Sequence, residues 1–517
     1  MSKKLDLYDI QGNICKGYGR YGYPKARYSF LRFSDAKQGR LFLLNLIQQI
    51  TTSEAWEAKV SSPKKPVCTT NIGFTYPGLK ALGIPERSLK GFPVDFTEGM
   101  KVRGHILGDT GKNGPEHWDE VWQGENVHAW LSINARDIIT LEHHYKDLVE
   151  MIAGFPGVEI LSGHRGPNGD TLSYQDASAV YVNGIPTGQE HFGFTDGISN
   201  PFFEGNGHKI SRLPGRGKLM RDGSWKPLAT GEFILGHVDE AREYPIAPDP
   251  KLLSYNGTFM VYRKLHENVD TFSNYIDDLA KDFDGSKDLL KAKMAGRWPD
   301  NGAPLTLAPT DEAKAALDSR MADLVYRVQE GEECAIAQLK QLRSEWTNFD
   351  YDKDVSGSKC PIGAHIRRTN TRGSLEHEKG AFNRPGALVD RRRIMRRGLP
   401  YGGVDETPSD SGEQGIIFMC VGASIERQFE FVQQQWVNYS NDFKLGNDKD
   451  PLIGNHQGQL TDKHIIQAEE KKLLKPAKAP FFCTEMPNFV ETRGGDYFFI
   501  PSITALRMIA EDMIDPS

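Results

Sequence analysis

The feature that most constrains this chain is a recurring order of apolar patterns: a short run rich in aromatic and branched residues, then a segment whose apolar positions fall at helical spacing. ARYSFLRF (Ala26 to Phe33) reads as a strand and RLFLLNLIQQI (Arg40 to Ile50) as a helix. VHAWLSINA (Val127 to Ala135) repeats the strand. TLEHHYKDLVEMIAGF follows it, with Leu141, Tyr145, Leu148 and Ile152 near one helical face, and VEILS (Val158 to Ser162) is a strand again. The second half has GTFMVYRKL (Gly257 to Leu265) before a helix through Phe272 and Leu279, GIIFMCVGA (Gly415 to Ala423) before IERQFEFVQQQW, and DYFFIPSITALRMIA at the end. The same order in both halves points to a duplicated α+β unit, with helices lying against mainly antiparallel sheets.

At 517 residues the chain exceeds one ordinary domain of roughly 100 to 200 residues, so two globular units or two halves of one are expected. GHKISRLPGRGKLMRDGSWKP (Gly207 to Pro227) is rich in Gly, Lys, Arg and Pro, which reads as a loop or linker between the halves. From Asp311 to Trp346 the chain is rich in Ala, Leu, Lys and Glu with few breakers apart from Gly331, which predicts one or two surface helices without chemistry.

Hydrophobic residues at 38% and charged residues at 26% describe a globular protein. A net charge of -6 gives no global attraction for nucleic acid or anionic membranes, so neither is expected as a partner. The one strong basic run, RRRIMRR (Arg391 to Arg397), is on composition alone a solvated face. Cys15, Cys68, Cys334, Cys360, Cys420 and Cys483 form no CxxC pair or dense framework, which favours reduced thiols. The start, MSKKLDLYDIQGNICKGYGR, has no apolar run, and no stretch approaches about 18 apolar residues, so a cytoplasmic protein is expected.

Three segments set reactive side chains among glycines and prolines, where backbone geometry must be special. In HFGFTDGISNPFFEG (His191 to Gly205), Asp196 stands between Thr195 and Gly197 with Phe194, Phe202 and Phe203 around it. An aspartate beside glycine ordinarily serves a turn. Desolvated by phenylalanines, it would instead be a general acid/base of raised pKa. In CPIGAHIRRTNTR (Cys360 to Arg372), small residues precede His365, and Arg367 and Arg368 follow it. One histidine among 14 is ordinarily structural, but nearby cations suit a haem ligand because they can pair with propionates. In RRRIMRRGLPYGG (Arg391 to Gly403), Arg393, Arg396 and Arg397 interleave with Ile394, Met395 and Leu399, which implies that some guanidiniums face inwards. His143 and His144, adjacent on a helix, do not converge on one ion, which argues against a metal-dependent hydrolase.

In this order the three segments resemble the dye-decolorizing peroxidase family. Its glycine-Xaa-Xaa-aspartate-glycine signature is met by Gly193, Asp196 and Gly197, its histidine-arginine segment by AHIRR, and its distal arginine segment by RRGLPYG. Further matches run from DIQGNI through TNIGFTYPGLKALGIP (Thr70 to Pro85) and AGRWPDN (Ala295 to Asn301) to IERQFEFVQQQWVN and FFIPS, most of the chain. Length and the lack of a signal resemble the larger, mostly bacterial branch. NTR (Asn370 to Arg372) departs from the family's asparagine-proline, which puts the local turn in question.

The resemblance implies an α+β fold of duplicated ferredoxin-like units, two antiparallel sheets flanked by helices. Residues 1–215 would carry the distal aspartate, and residues 216–517 the proximal histidine and distal arginine. It implies a haem peroxidase that reduces hydrogen peroxide and, through a ferryl intermediate, oxidises phenolic, dye-like or other small aromatic one-electron donors. His365 would be the ligand to the iron of haem b, Arg367, Arg368, Gly197 and Phe194 would line the cofactor, and Asp196 and Arg396 would be catalytic, with Arg397 the alternative arginine. The family also places a carboxylate on the far nitrogen of the proximal histidine. Asp450 in KDPLIG is the first choice, with Asp442 and Glu426 as rivals. Tyr401, Trp298 and Trp436 are candidates for relaying oxidation to the surface. A homo-oligomer is compatible with the resemblance, and the competing function is a haem carrier or iron-releasing protein without significant turnover.

Overall fold

The computed structural model describes residues 5–56, 64–167, 169–207, 209–375, 386–403, 409–468 and 479–514. In the first half β1 (Lys25–Phe33) leads into α1 (Ala36–Leu46), then β2 (Cys68–Phe74), β3 (Ala129–Ala135), α2 (Ile138–Ala153) and β4 (Val158–Ile160). Asp35 and Asp137 start the two helices: each side chain accepts a backbone N–H three residues on, from Gln38 and Thr140. The strands lie in the order β4-β1-β3-β2, every pair antiparallel. That order, with both helices as crossovers, is the ferredoxin-like arrangement. A further strand, β5 (Gln175–Ser178), continues on β1 beside β4.

The second half repeats it with β6 (Thr258–Glu267), α3 (Val269–Leu279), the short α4 (His365–Thr369), the split strand β7 (Met395–Arg396) and β8 (Leu399–Tyr401), β9 (Gly415–Gly422), a wide π-type helix α5 over 426–437, β10 (Val490–Ile500) and α6 (Ile503–Ala510). Strand order here is β10-β6-β9 with β7 and β8 on the far side of β9. The predicted pair of sheets is joined edge to edge by pairing of β10 with β2 at Phe499 and Phe74, giving one ten-stranded antiparallel sheet. The sheet curls until β8 lies against β5.

Side chains alternate across the strands, and the inward set makes the shared core. Tyr28 and Phe30 of β1 meet Trp130 of β3, Tyr262 of β6 and Phe498 of β10, with Phe30 and Tyr262 edge to face at 5.2 Å between ring centres. Each buried ring of this kind contributes about 1.5–3 kcal/mol, and because the rings come from four strands the two halves are held as one body. The outward set differs. On β6, Arg263, Leu265 and Glu267 turn away from this core, and on β9 so do Ile416 and Phe418; α3, α4 and α5 cover this side.

The segment from Asp311 forms two helices, Asp311–Gln329 and Glu333–Glu345, which pack on each other around Leu324, Leu339 and Leu342. β2 had no separate strand signal in the periodicity, because CTTNIGF mixes polar and apolar residues; it is buried between β3 and β10, and some of its polar side chains find partners there. Asn71, for example, donates to the Thr51 carbonyl and accepts from Tyr18. No helix among the described residues is long and apolar enough to cross a membrane.

Candidate active site

Between the outward face of the second half-sheet and its helices lies a cavity of about 240 Å³. Its apolar walls include Leu265, Phe418, Phe429, Leu452 and Val490, and its polar walls include His365, Asp196, Arg396 and Arg393. Residues up to 200 apart in sequence meet here: His365 opens α4, Arg396 ends β7, and Asp196 is in a turn that crosses from the first half.

His365 is fixed from behind. Its Nδ1 lies 2.9 Å from Oδ2 of Asp450, a fully buried carboxylate whose Oδ1 accepts the N–H groups of Leu452 and Ile453. Burial would raise the Asp450 pKa, but the imidazole, the Arg368 charge and these N–H groups outweigh it and hold it at about 2. No described residue bonds His365 Nε2, so the second ring nitrogen is left to the cavity. The rivals of Asp450 lie elsewhere: Asp442 accepts the Trp436 indole N–H at 3.0 Å, and Glu426 is exposed.

Gly193 and Gly197 both have positive φ, +95° and +76°, conformations that glycine adopts without strain. They bend the chain on either side of Asp196, whose N–H donates to the Gly188 carbonyl. The Asp196 carboxylate is ion-paired with Nη1 of Arg396, and Nη2 of that guanidinium donates to the Ile198 carbonyl at 3.1 Å. Asn200 completes the clamp by accepting the Arg396 N–H at 3.1 Å and donating to its carbonyl at 3.4 Å.

The desolvated aspartate expected from the surrounding phenylalanines is not found: the Asp196 side chain keeps 45% of its exposure. Phe194 does line the cavity, but Phe202 and Phe203 do not. The carboxyl groups that burial raises are Glu190 and Glu267, on the same cavity, and neither carried a motif.

Arg367 and Arg368 also depart from expectation. Arg367 donates to Asp354 and to the Cys360 carbonyl, while Arg368 donates to the Gly363, Trp436 and Asp448 carbonyls and to Ser440; both are buried and neither faces the cavity. The helix explains it: His365, Ile366, Thr369 and Asn370 share the cavity side, and positions two and three after His365 rotate to the other. The cations that do line the cavity are Arg297, Arg396 and Arg393; Arg393 is buried, pushed down to about 10 by that burial, with an Nη2 that has no hydrogen-bond partner among the described residues.

The basic run is no solvated face. Arg391 pairs with Asp239, Arg392 stacks on Phe431, and Arg397 turns from the cavity to donate to the Asn13 and Ile14 carbonyls. In the NTR turn Arg372 adopts φ +51° and stacks on Phe349. Trp298 lines the cavity, whereas Tyr401 and Trp436 do not, and all three are buried, so none is itself a surface residue. Of the histidine neighbours, His144 bonds Thr70 and His143 is exposed beside Asp147.

Residues 9–158 match the family model described as the DyP dimeric alpha+beta barrel domain. Dye-decolorizing peroxidase msp1 of Mycetinis scorodonius is 27% identical, with the match covering 98% of this chain and 88% of its own. Multifunctional dye peroxidase DyP2 of Amycolatopsis sp. (strain ATCC 39116 / 75iv2) is 29% identical over 97% of this chain and 96% of its own. A solved dye-decolorizing peroxidase in complex with 2,6-dimethoxyphenol superposes with a TM-score of 0.70 at 25% identity, covering 98% of this chain and 100% of that one. With relatives matching along nearly the whole chain at 25–29% identity and the duplicated α+β sheet beneath them, this chain is similar over nearly all its length to dye-decolorizing peroxidases, and the likeness supports an enzyme of the DyP type.

Proposed function

We propose that this peroxidase holds haem b on His365 and uses Asp196 and Arg396 to reduce hydrogen peroxide at the expense of small aromatic one-electron donors. The carrying observation is one mostly apolar cavity that holds both an imidazole anchored through Nδ1 by a buried carboxylate, with Nε2 bonded by none of the described residues, and the Asp196–Arg396 pair. Dye-decolorizing peroxidases are haem enzymes, and the residues present fit that group. The imidazole is a donor of fixed tautomer, the walls are mostly apolar, and the Nη2 of Arg393, without a hydrogen-bond partner among the described residues, suits a propionate. Arg367 and Arg368, committed to other partners, would act only by holding α4.

When bound, haem supplies the redox chemistry of peroxide cleavage and donor oxidation. Asp196 accepts a proton from one peroxide oxygen at its carboxylate and returns it to the other, so that water leaves. Arg396 stabilises negative charge developing on the departing oxygen, and its contacts with Ile198 and Asn200 hold the guanidinium in place beforehand. Residues 1–215 thus supply the aspartate, and residues 216–517 the histidine and arginine. A phenol such as 2,6-dimethoxyphenol is the donor class that the solved relative supports. The enzyme is cytoplasmic in this reading. An absorption spectrum of the purified protein with added haem, before and after peroxide, tests it: no haem uptake, or uptake without reaction with peroxide, overturns it, and the second result favours the carrier.

A further inference from the structure

Two carboxyl groups on the cavity have no part in the proton transfer above. Glu190 precedes the turn that carries Asp196, and Glu267 ends β6; they are 8% and 3% exposed. Both carboxyls line the cavity and reach the same turn, side by side, so that each acts on the other. Glu190 also accepts the N–H groups of Phe192 at 2.9 Å and Phe194 at 2.6 Å, and Glu267 accepts that of His191 at 3.3 Å. All three N–H groups belong to the turn that ends at Asp196. Among the described residues no lysine or arginine is bonded to either carboxyl.

Two carboxylates buried in contact without a cation cannot both stay ionised. Burial first, and the Glu190 charge second, push Glu267 well up, and burial raises Glu190 as well. Arg297, Arg393 and Arg396 line the same cavity, and Lys264 and Arg493 lie near Tyr401, but among the described residues none is bonded to the pair. β10 faces the pair with Val490, and α3 packs Phe272 on Phe192 and Phe194. β8 brings Tyr401, a buried phenol pushed well above its usual range by burial; His191 turns Nε2 to the Tyr401 carbonyl, and Asp196 adds negative charge.

We propose that Glu190 and Glu267 are positioning residues: an acid and a carboxylate sharing one proton, which together clamp the 190–194 turn and so fix Asp196 for the peroxide step. The inference rests on the role proposed for Asp196. A half-exposed carboxylate on a turn is held only as well as the turn is, and misplacement of about 1 Å costs up to 10²-fold in rate. Glu190 as carboxylate is the acceptor for the turn, and the acid Glu267 is the donor that keeps it in place.

The test uses the full chain with Glu190→Gln, Glu267→Gln and Glu267→Leu. In the haem-free protein at neutral pH, infrared spectra should show the carbonyl band of a buried protonated carboxyl that both Glu267 variants lose. In the haem-loaded protein Glu267→Leu and Glu190→Gln should slow the peroxide step at least about tenfold relative to Glu267→Gln, whose amide still donates to Glu190. The alkaline decline of wild type should move to higher pH in Glu267→Gln, which has no proton to lose. A band that survives in Glu267→Gln, or an unmoved alkaline limb, overturns the proposal; both readings stand even if Glu267→Leu fails to fold. If Asp196→Asn leaves the peroxide step intact, the role of Asp196 fails, while the infrared band still judges the proton sharing between Glu190 and Glu267.

Discussion

Nδ1 of His365 and Oδ2 of Asp450 stand 2.9 Å apart across 85 residues of sequence, the carboxylate fully buried and the imidazole partly open to the cavity. The contact fixes which ring nitrogen faces inward and strengthens it as a donor. His365→Ala should abolish haem uptake, and Asp450→Asn should weaken it by about 10- to 100-fold without unfolding the chain. Titration with haem followed by absorbance measures both, and undiminished affinity in Asp450→Asn would count against the anchoring role.

Asp196→Asn preserves size and the contact with Arg396 but cannot cycle a proton. Peroxide reduction should fall by about 10² to 10⁴ while haem content stays that of wild type. With a carboxylate as the base, wild-type turnover of phenols should favour acidic pH, and a pH-rate profile of the two proteins side by side is the measurement.

The neighbouring arginines should separate cleanly. Arg396→Leu removes charge stabilisation next to Asp196 and should slow the reaction with peroxide by about 10²- to 10³-fold. Arg397→Leu instead strips hydrogen bonds from the Asn13 and Ile14 carbonyls, so its cost should appear in thermal stability. Stopped-flow mixing and a melting curve on each variant distinguish them; the large kinetic defect in Arg397→Leu would invert the assignment.

Acid should destabilise the fold even as it favours turnover. His164, buried against Phe30, is pushed from 6.5 down to about 3 by burial and by the Lys264 charge, and His464 is pushed down to about 4 by burial and Arg368. Both are neutral in the folded protein, whereas the unfolded chain protonates them below about 6.5. The unfolded state therefore binds more protons, and stability falls as pH falls from 6.5 towards these values, by about 2 kcal/mol for each histidine at pH 5. His164→Gln, which cannot charge, should flatten the decline of Tm with acidity; an unchanged slope would show that His164 does not contribute to it.

The repeated strand and helix order is legible along the chain, because apolar periodicity is a local property that each segment carries alone. Through the family's motifs the sequence also named the Asp196, His365 and Arg396 segments, since glycines and flanking residues mark special backbone locally. Tertiary structure decided everything that depends on direction. Asp450 rather than Asp442 or Glu426 reached the histidine because the turn after α5 brings it there, and nothing in KDPLIG encodes that approach. Arg367 and Arg368 turned away because a helix rotates by about 100° per residue, which a linear reading of AHIRR cannot convey. Glu190 and Glu267 came together from a turn of the first half and a strand end of the second. Their burial without a cation is a property of the assembled cavity, and no spacing along the chain records it.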